Sequence, residues 1–119
     1  MNGRDLSSGE VQALLATYEE LALAWDAERQ AKKANRIFDK LHQIALQLRP
    51  LESGREGLES LLRHDNRGVR LKAASDCLAW GSEEALSTLE GLVEPRGTHS
   101  LSADMTLREF RAGRVRFDW

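Results

Sequence analysis

The stretch at residues 58–93, LESLLRHDNRGVRLKAASDCLAWGSEEALSTLEGLV, constrains the fold of this chain more than any other. Leu58, Leu61 and Leu62 form one apolar stripe. The polar run His64-Asp65-Asn66-Arg67-Gly68 follows, with Asp and Asn residues that suit a turn and can cap the next helix. A second helix then carries Val69, Ala73, Ala74, Cys77 and Leu78. Gly81 stops it, and Ser82 with Glu83 and Glu84 opens a third helix lined by Leu86, Leu89, Leu92 and Val93. Short helices of this kind each leave an apolar face that they cannot bury alone. They must stack on neighbours, and the result is a curved helical assembly that serves for binding more often than for chemistry.

The rest of the chain supplies those neighbours. Ser7 or Ser8 caps a first helix, with Glu10 in its first turn where the helix dipole favours an acid. Val11, Leu14, Leu15, Tyr18, Leu21, Ala22 and Trp25 follow at three- and four-residue spacing. The sign of the charge changes near Gln30, from Glu19, Glu20, Asp26 and Glu28 to Lys32, Lys33, Arg36 and Lys40. A bend within residues 29–34 then separates an acidic helix from a basic one, and the two are expected to pair as an antiparallel hairpin. The second helix carries Ile37, Leu41, Ile44 and Leu48, with Phe38 and Ala45 beside them, and ends at Pro50. Ser53 and Glu56 have the spacing of a capping box for the third helix. After Pro95, Ser102 is the expected cap of a last helix over residues 103–112, packed through Met105, Leu107 and Phe110. Residues 1–7 are expected to fray. Residues 114–119, which alternate charged and apolar side chains, form a tail that is either docked or loose.

The totals bound the answer. A chain of 119 residues makes one domain. A domain of this size buries roughly 65% of its unfolded surface, enough for one modest core. Charged residues make up 30% with a net charge of −2, which gives no global pull toward nucleic acid or anionic membrane. Leu and Ala are abundant and strand-favouring residues sparse, so the fold class is all-α with about five to six helices. The one cysteine, Cys77, sits among small apolar residues and reads as core. No signal peptide or membrane-length apolar run is present, so a cytoplasmic location without membrane attachment is expected.

With Leu61-Leu62, His64, Asn66, Val69-Arg70-Leu71-Lys72-Ala73-Ala74 and the ending Met105-Thr106-Leu107 in view, the chain resembles a group of small bacterial HEAT-like proteins that carry a domain of unknown function. The resemblance spans residues 10–115 and implies an armadillo-type fold, a short right-handed α-α superhelix. The stretch with Arg108, Arg111, Arg114 and Arg116 is more basic than the family pattern. The family carries no established activity. Analogy with small helical-repeat proteins makes a bacterial toxin, in an immunity-type pair, the most concrete partner.

Nothing in the sequence marks a catalytic centre. His42, His64 and His99 lie on separate elements, without the spacing of a metal site. No glycine-rich phosphate loop or nucleophile elbow occurs. No enzyme activity, cofactor or metal is expected. Arg70, just inside the fourth helix, is expected to pair with an acid of a neighbouring turn, Asp65 or Asp76. The expected function is a protein-interaction module with a groove formed by the second, fourth and sixth helices. Its contacts are expected at Arg70, Trp80, Phe117 and Trp119, the residue types that dominate interface energetics. A homodimer through the Phe117–Trp119 tail is a further expectation. The alternative is nucleic-acid binding through Lys32 to Lys40, Arg108 to Arg116, and a third patch of Arg63, Arg67, Arg70 and Lys72.

Overall fold

The computed structural model describes residues 6–118. Among these, six α-helices and no strands are found: α1 (Ser8–Ala27), α2 (Ala31–Leu48), α3 (Glu52–Ser60), α4 (Arg67–Cys77), α5 (Glu83–Val93) and α6 (Ser100–Arg111). Single 3-10 turns, Leu61–Arg63 and Leu78–Trp80, extend α3 and α4. The all-α expectation holds. No described helix is long and apolar enough to cross a membrane.

Local chemistry explains most of the boundaries. Ser7 and Glu10 close a capping box: the Ser7 hydroxyl accepts the Glu10 N–H at 3.1 Å and the Glu10 carboxylate accepts the Ser7 N–H at 2.9 Å. Leu6 packs against the core, so Leu6 and Ser7 do not fray as expected, while residues 1–5 lie outside the described residues. The bend after α1 has no glycine or proline behind it. Glu28 makes it, accepting the N–H groups of Arg29 and Gln30 at 3.1 Å each and placing a negative charge at the start of α2. Asn66 caps α4 through the Val69 N–H at 2.9 Å, and Ser82 caps α5 through the Ala85 N–H at 3.1 Å.

Two expected caps do not form. Glu52 already begins α3 behind Leu51, which gives no side-chain cap, so Ser53 lies inside the first turn and the Ser53–Glu56 box is absent. The Pro50 turn folds α3 straight back onto the end of α2, and Arg55 occupies the carbonyl of Arg49 at 2.8 Å. The last helix begins at Ser100 rather than after Ser102. Ser100 closes the preceding turn on Gly97, its hydroxyl 2.9 Å from the Gly97 N–H, and that turn starts the helix three residues early. Met105 is likewise exposed rather than packed, whereas Leu107 is buried and Phe110 lies against the core.

Helix α4 is the centre. It packs on α1, α3 and α5, and Val69, Leu71, Ala73, Ala74 and Cys77 are all buried. Ala73 and Ala74 let two neighbours approach at once. α1 packs on both α2 and α4, and α5 packs on both α4 and α6. α2, α4 and α6 are thereby set side by side. Two acids of α1 reach beyond the hairpin with α2. Glu19 reaches His64 Nε2 at 2.8 Å, and Asp26 reaches His99 Nε2 at 2.6 Å, tying α1 to the turn before α4 and to the start of α6. His64 Nδ1 accepts the Asn66 N–H at 3.0 Å, so its Nε2 is the nitrogen that donates to Glu19.

The join between α2 and α3 leaves no room for a side chain at Gly54. A Cβ there would stand 2.2 Å from the Leu48 carbonyl oxygen, and a backbone atom cannot swing aside as a side-chain tip can. Gly54→Ala is therefore expected to destabilise the fold by about 2–3 kcal/mol, read as a lower midpoint in thermal unfolding followed by circular dichroism.

Candidate functional site

The helices α2, α4 and α6 enclose a groove of about 450 Å³, closed at one end by the C-terminal tail. Helix α2 presents two rows of side chains, one to the core and one to the groove. Leu41, Ile44 and Leu48 point into the core, with Ile37 packed against it. The neighbouring row Phe38, His42, Ala45 and Arg49 lines the groove. On α6 the row Ser102, Met105, Thr106 and Glu109 forms the opposite wall. These spacings of three and four put each row on one helix face. Trp25 of α1 and Trp80, after α4, add aromatic surface.

The floor is charged. Lys72 is 3% exposed, and its Nζ lies 2.9 and 3.0 Å from the two carboxylate oxygens of Asp76. Tyr18, fully buried, donates its hydroxyl to the same carboxylate. The Phe38 ring lies over the Lys72 ammonium, 4.4 Å to the ring centre, a cation–π contact. A buried ammonium is tolerable only when paired and hydrogen-bonded in this way. Burial, reinforced by Asp76, pushes the Tyr18 hydroxyl well above its ordinary value. Burial also raises the Cys77 thiol, again with Asp76 contributing, which suits a packing residue and not a nucleophile.

The tail is set by the end of α6. Gly113 takes a left-handed backbone (φ 74), its N–H bonds the Phe110 carbonyl at 3.0 Å, and the Arg114 N–H bonds the Glu109 carbonyl at 2.9 Å. This is a Schellman closure, and it needs a glycine because a Cβ disfavours that backbone region. Arg114 Nε also donates to the Glu109 carboxylate at 2.9 Å, which holds that carboxyl below its ordinary value. The chain then runs along the groove, where Phe117 packs against the core. Arg49 donates to the Phe117 carbonyl at 3.4 Å and pairs with Asp118. Asp118 is 84% exposed, so this pair adds only about 0–1 kcal/mol. A half-buried aromatic adds roughly 1–2 kcal/mol.

Of the four contact residues expected from sequence, the structure brings Trp80 and Phe117 together in the groove. Trp80 is held by its indole N–H, which donates to Glu59 at 3.0 Å. Arg70 lies elsewhere. It neither pairs with Asp65 or Asp76 through their carboxylates nor faces the groove; it donates to the backbone carbonyls of His64 at 2.5 Å and Asp65 at 3.2 Å, locking the turn before α4. Asp76 is already occupied by Lys72 and Tyr18, and a guanidinium fits the two closely spaced carbonyls of the turn. Trp119 lies outside the described residues. The groove residues missed by sequence reasoning are chiefly Trp25, Lys72, Asp76 and Met105. A signal existed for part of this: the row Phe38–His42–Ala45–Arg49 repeats at helical spacing beside the core stripe of α2.

Among the described residues, no group of His, Cys, Asp and Glu is arranged to hold a metal ion. Of the third basic patch, Lys72 is withdrawn from the surface and the three arginines are engaged with neighbours. Lys72 is buried, Arg67 donates to the Leu92 carbonyl at 3.0 Å, Arg63 pairs with Glu84 at 2.9 Å, and Arg70 is bound to its turn.

A small six-helix protein with a groove across three of its helices is the class that fold and site define. Over residues 12–111 the chain matches the domain of unknown function DUF2019, and it belongs to that family. The crystal structure of the protein RPA1889 from Rhodopseudomonas palustris CGA009 is similar to it, with 28% sequence identity and a TM-score of 0.81. The match covers 95% of this chain and 98% of that one. No curated protein matches the chain.

Two outcomes test the floor of the groove. Asp76→Asn leaves the Lys72 charge buried without a counter-charge and is expected to cost about 3 kcal/mol in denaturant unfolding; adding Lys72→Met is expected to recover part of that loss. Tyr18, the single tyrosine, is raised in the folded state, so its contribution to stability is complete below the ordinary value of 10.0 and declines as pH rises above it. Tyrosinate absorbance is expected to appear together with loss of helical circular dichroism, not ahead of it.

Proposed function

We propose that this protein is a non-catalytic interaction module, a short right-handed HEAT-like α-α superhelix that holds a segment of one partner protein in the groove between α2, α4 and α6. The observation that carries this reading is the composition of the groove. Trp25, Phe38, Trp80 and Met105 present apolar surface, Met105 is 55% exposed at the rim, and the charges of the floor are neutralised by one another. Aromatic and methionine surface around a charge-paired centre, with Arg49 and Glu109 at the edge, has the anatomy of a protein-docking site. The buried Lys72–Asp76–Tyr18 group stiffens the floor and has no open position for a reacting substrate, which favours binding over catalysis. A toxin held in an immunity-type pair is the most concrete version of the partner, and a cytoplasmic setting fits it. That version rests on analogy with other small helical-repeat proteins.

Nucleic-acid binding draws less support. Three of the arginines near the C-terminus are engaged in ion pairs: Arg108 with Asp104 at 3.0 Å, Arg111 with Glu90 at 2.7 Å, and Arg114 with Glu109. Paired cations release few counterions on meeting a phosphate backbone, so they contribute little to such binding.

The test is a tagged pull-down from the native host, at low and high salt, with wild-type protein and Met105→Glu. Met105 is exposed, so the substitution is expected to leave thermal stability within about 0.5 kcal/mol. One protein recovered at both salts, and lost with Met105→Glu, is the expected result. Recovery that ignores Met105→Glu, or nucleic acid recovered at low salt alone, would overturn the proposal.

A further inference from the structure

The protein's own tail is already seated against the groove, and its chemistry describes a ligand. Along residues 114–118 exposure alternates: Arg114, Arg116 and Asp118 are exposed, and Val115 and Phe117 are half-buried. That is the period of an extended segment with one apolar face. Val115 and Phe117 both line the groove. The tail forms neither helix nor strand with the body. Beyond the Glu109–Arg114 closure of α6, the described residues of the tail are held by the packing of Phe117 and by Arg49, which grips the Phe117 carbonyl and the Asp118 carboxylate.

We infer that residues 114–118 are an internal stand-in for the partner, and that the segment recognised by this groove has the same chemistry. It is extended, with apolar side chains two residues apart and an Asp or Glu next to the second. The carboxylate takes the place of Asp118 on Arg49, and the two apolar side chains take the places of Val115 and Phe117. Charge complementarity selects an acidic end, because Arg49 is a cation whose counter-charge in the closed state is Asp118. Binding releases the tail, so the tail also sets a threshold that a weaker segment does not cross. This inference rests on the reading of the groove as a protein-docking site and adds the kind of segment it takes.

The experiment uses the full chain and a fluorescently labelled peptide of residues 112–118, followed by anisotropy. Phe117→Ala removes the tail's main apolar anchor and leaves unaltered the groove walls that α2, α4 and α6 supply, and unchanged helical circular dichroism checks the fold. Apparent affinity scales with the fraction of molecules whose groove is open, so the peptide is expected to bind Phe117→Ala about ten-fold more tightly than wild type. The same peptide carrying Asp118→Asn is expected to bind several-fold more weakly, a readout that leaves the protein untouched. Absence of binding to either protein, equal binding to both, or indifference to Asp118→Asn would overturn the inference. A wild-type dimer that becomes monomeric on Phe117→Ala would assign the tail to a second copy and overturn it as well. If the peptide fails while Met105→Glu still abolishes partner capture, the groove docks proteins beside a fixed tail and only this inference falls.

Discussion

Helix α4 has no solvent face over most of its length, yet it carries a lysine and an aspartate one turn apart. Their ion pair is the contact on which the rest of the structure depends. A helix enclosed by α1, α3 and α5 is able to keep two ionised groups only by pairing them with each other and giving the carboxylate a further donor. Tyr18 of α1 is that donor, and Phe38 of α2 covers the ammonium. One charge pair thus fixes the positions of α1, α2 and α4 together. Any slippage of α1 along α4 would leave a buried carboxylate short of a partner, which costs more than losing a few apolar contacts.

The groove follows from the same arrangement. Because α1 joins α2 to α4, and α5 joins α4 to α6, the three even-numbered helices face the same side with little direct packing between them. Bulky side chains of α2 and α6 then stand on either side of the Lys72–Asp76 floor. The floor is a neutralised ion pair, and the rim holds aromatic residues, Met105 and the ion pairs Arg49–Asp118 and Arg114–Glu109.

Most of the element plan was legible in the sequence, for local reasons. Caps and stops such as Ser7–Glu10, Asn66, Ser82, Pro50 and Gly81 act within a few residues, and the apolar stripes at helical spacing give each helix its buried face. The misses were also local, but they depended on what lay nearby. Ser53 and Ser102 were passed over as caps because the Pro50 turn and the Gly97–Ser100 turn began their helices earlier. Met105 was read as core because its residue type suited a core; its place on the outer row of α6 was visible only once Leu107 and Phe110 were seen to take the inner one.

The sequence by itself determined an all-helical chain, most of its caps and its core stripes. Periodicity and capping carry that information because each is a relation between residues close in the chain. Only the tertiary structure decided where the charges went. Lys72 left a supposed surface patch for a buried pair, Arg70 turned to two carbonyls instead of an acid, and Asp118 met Arg49 across the length of the fold. Electrostatic partners are chosen by distance in space and by the desolvation that surrounds them, and neither quantity is written in the spacing of residues along a chain.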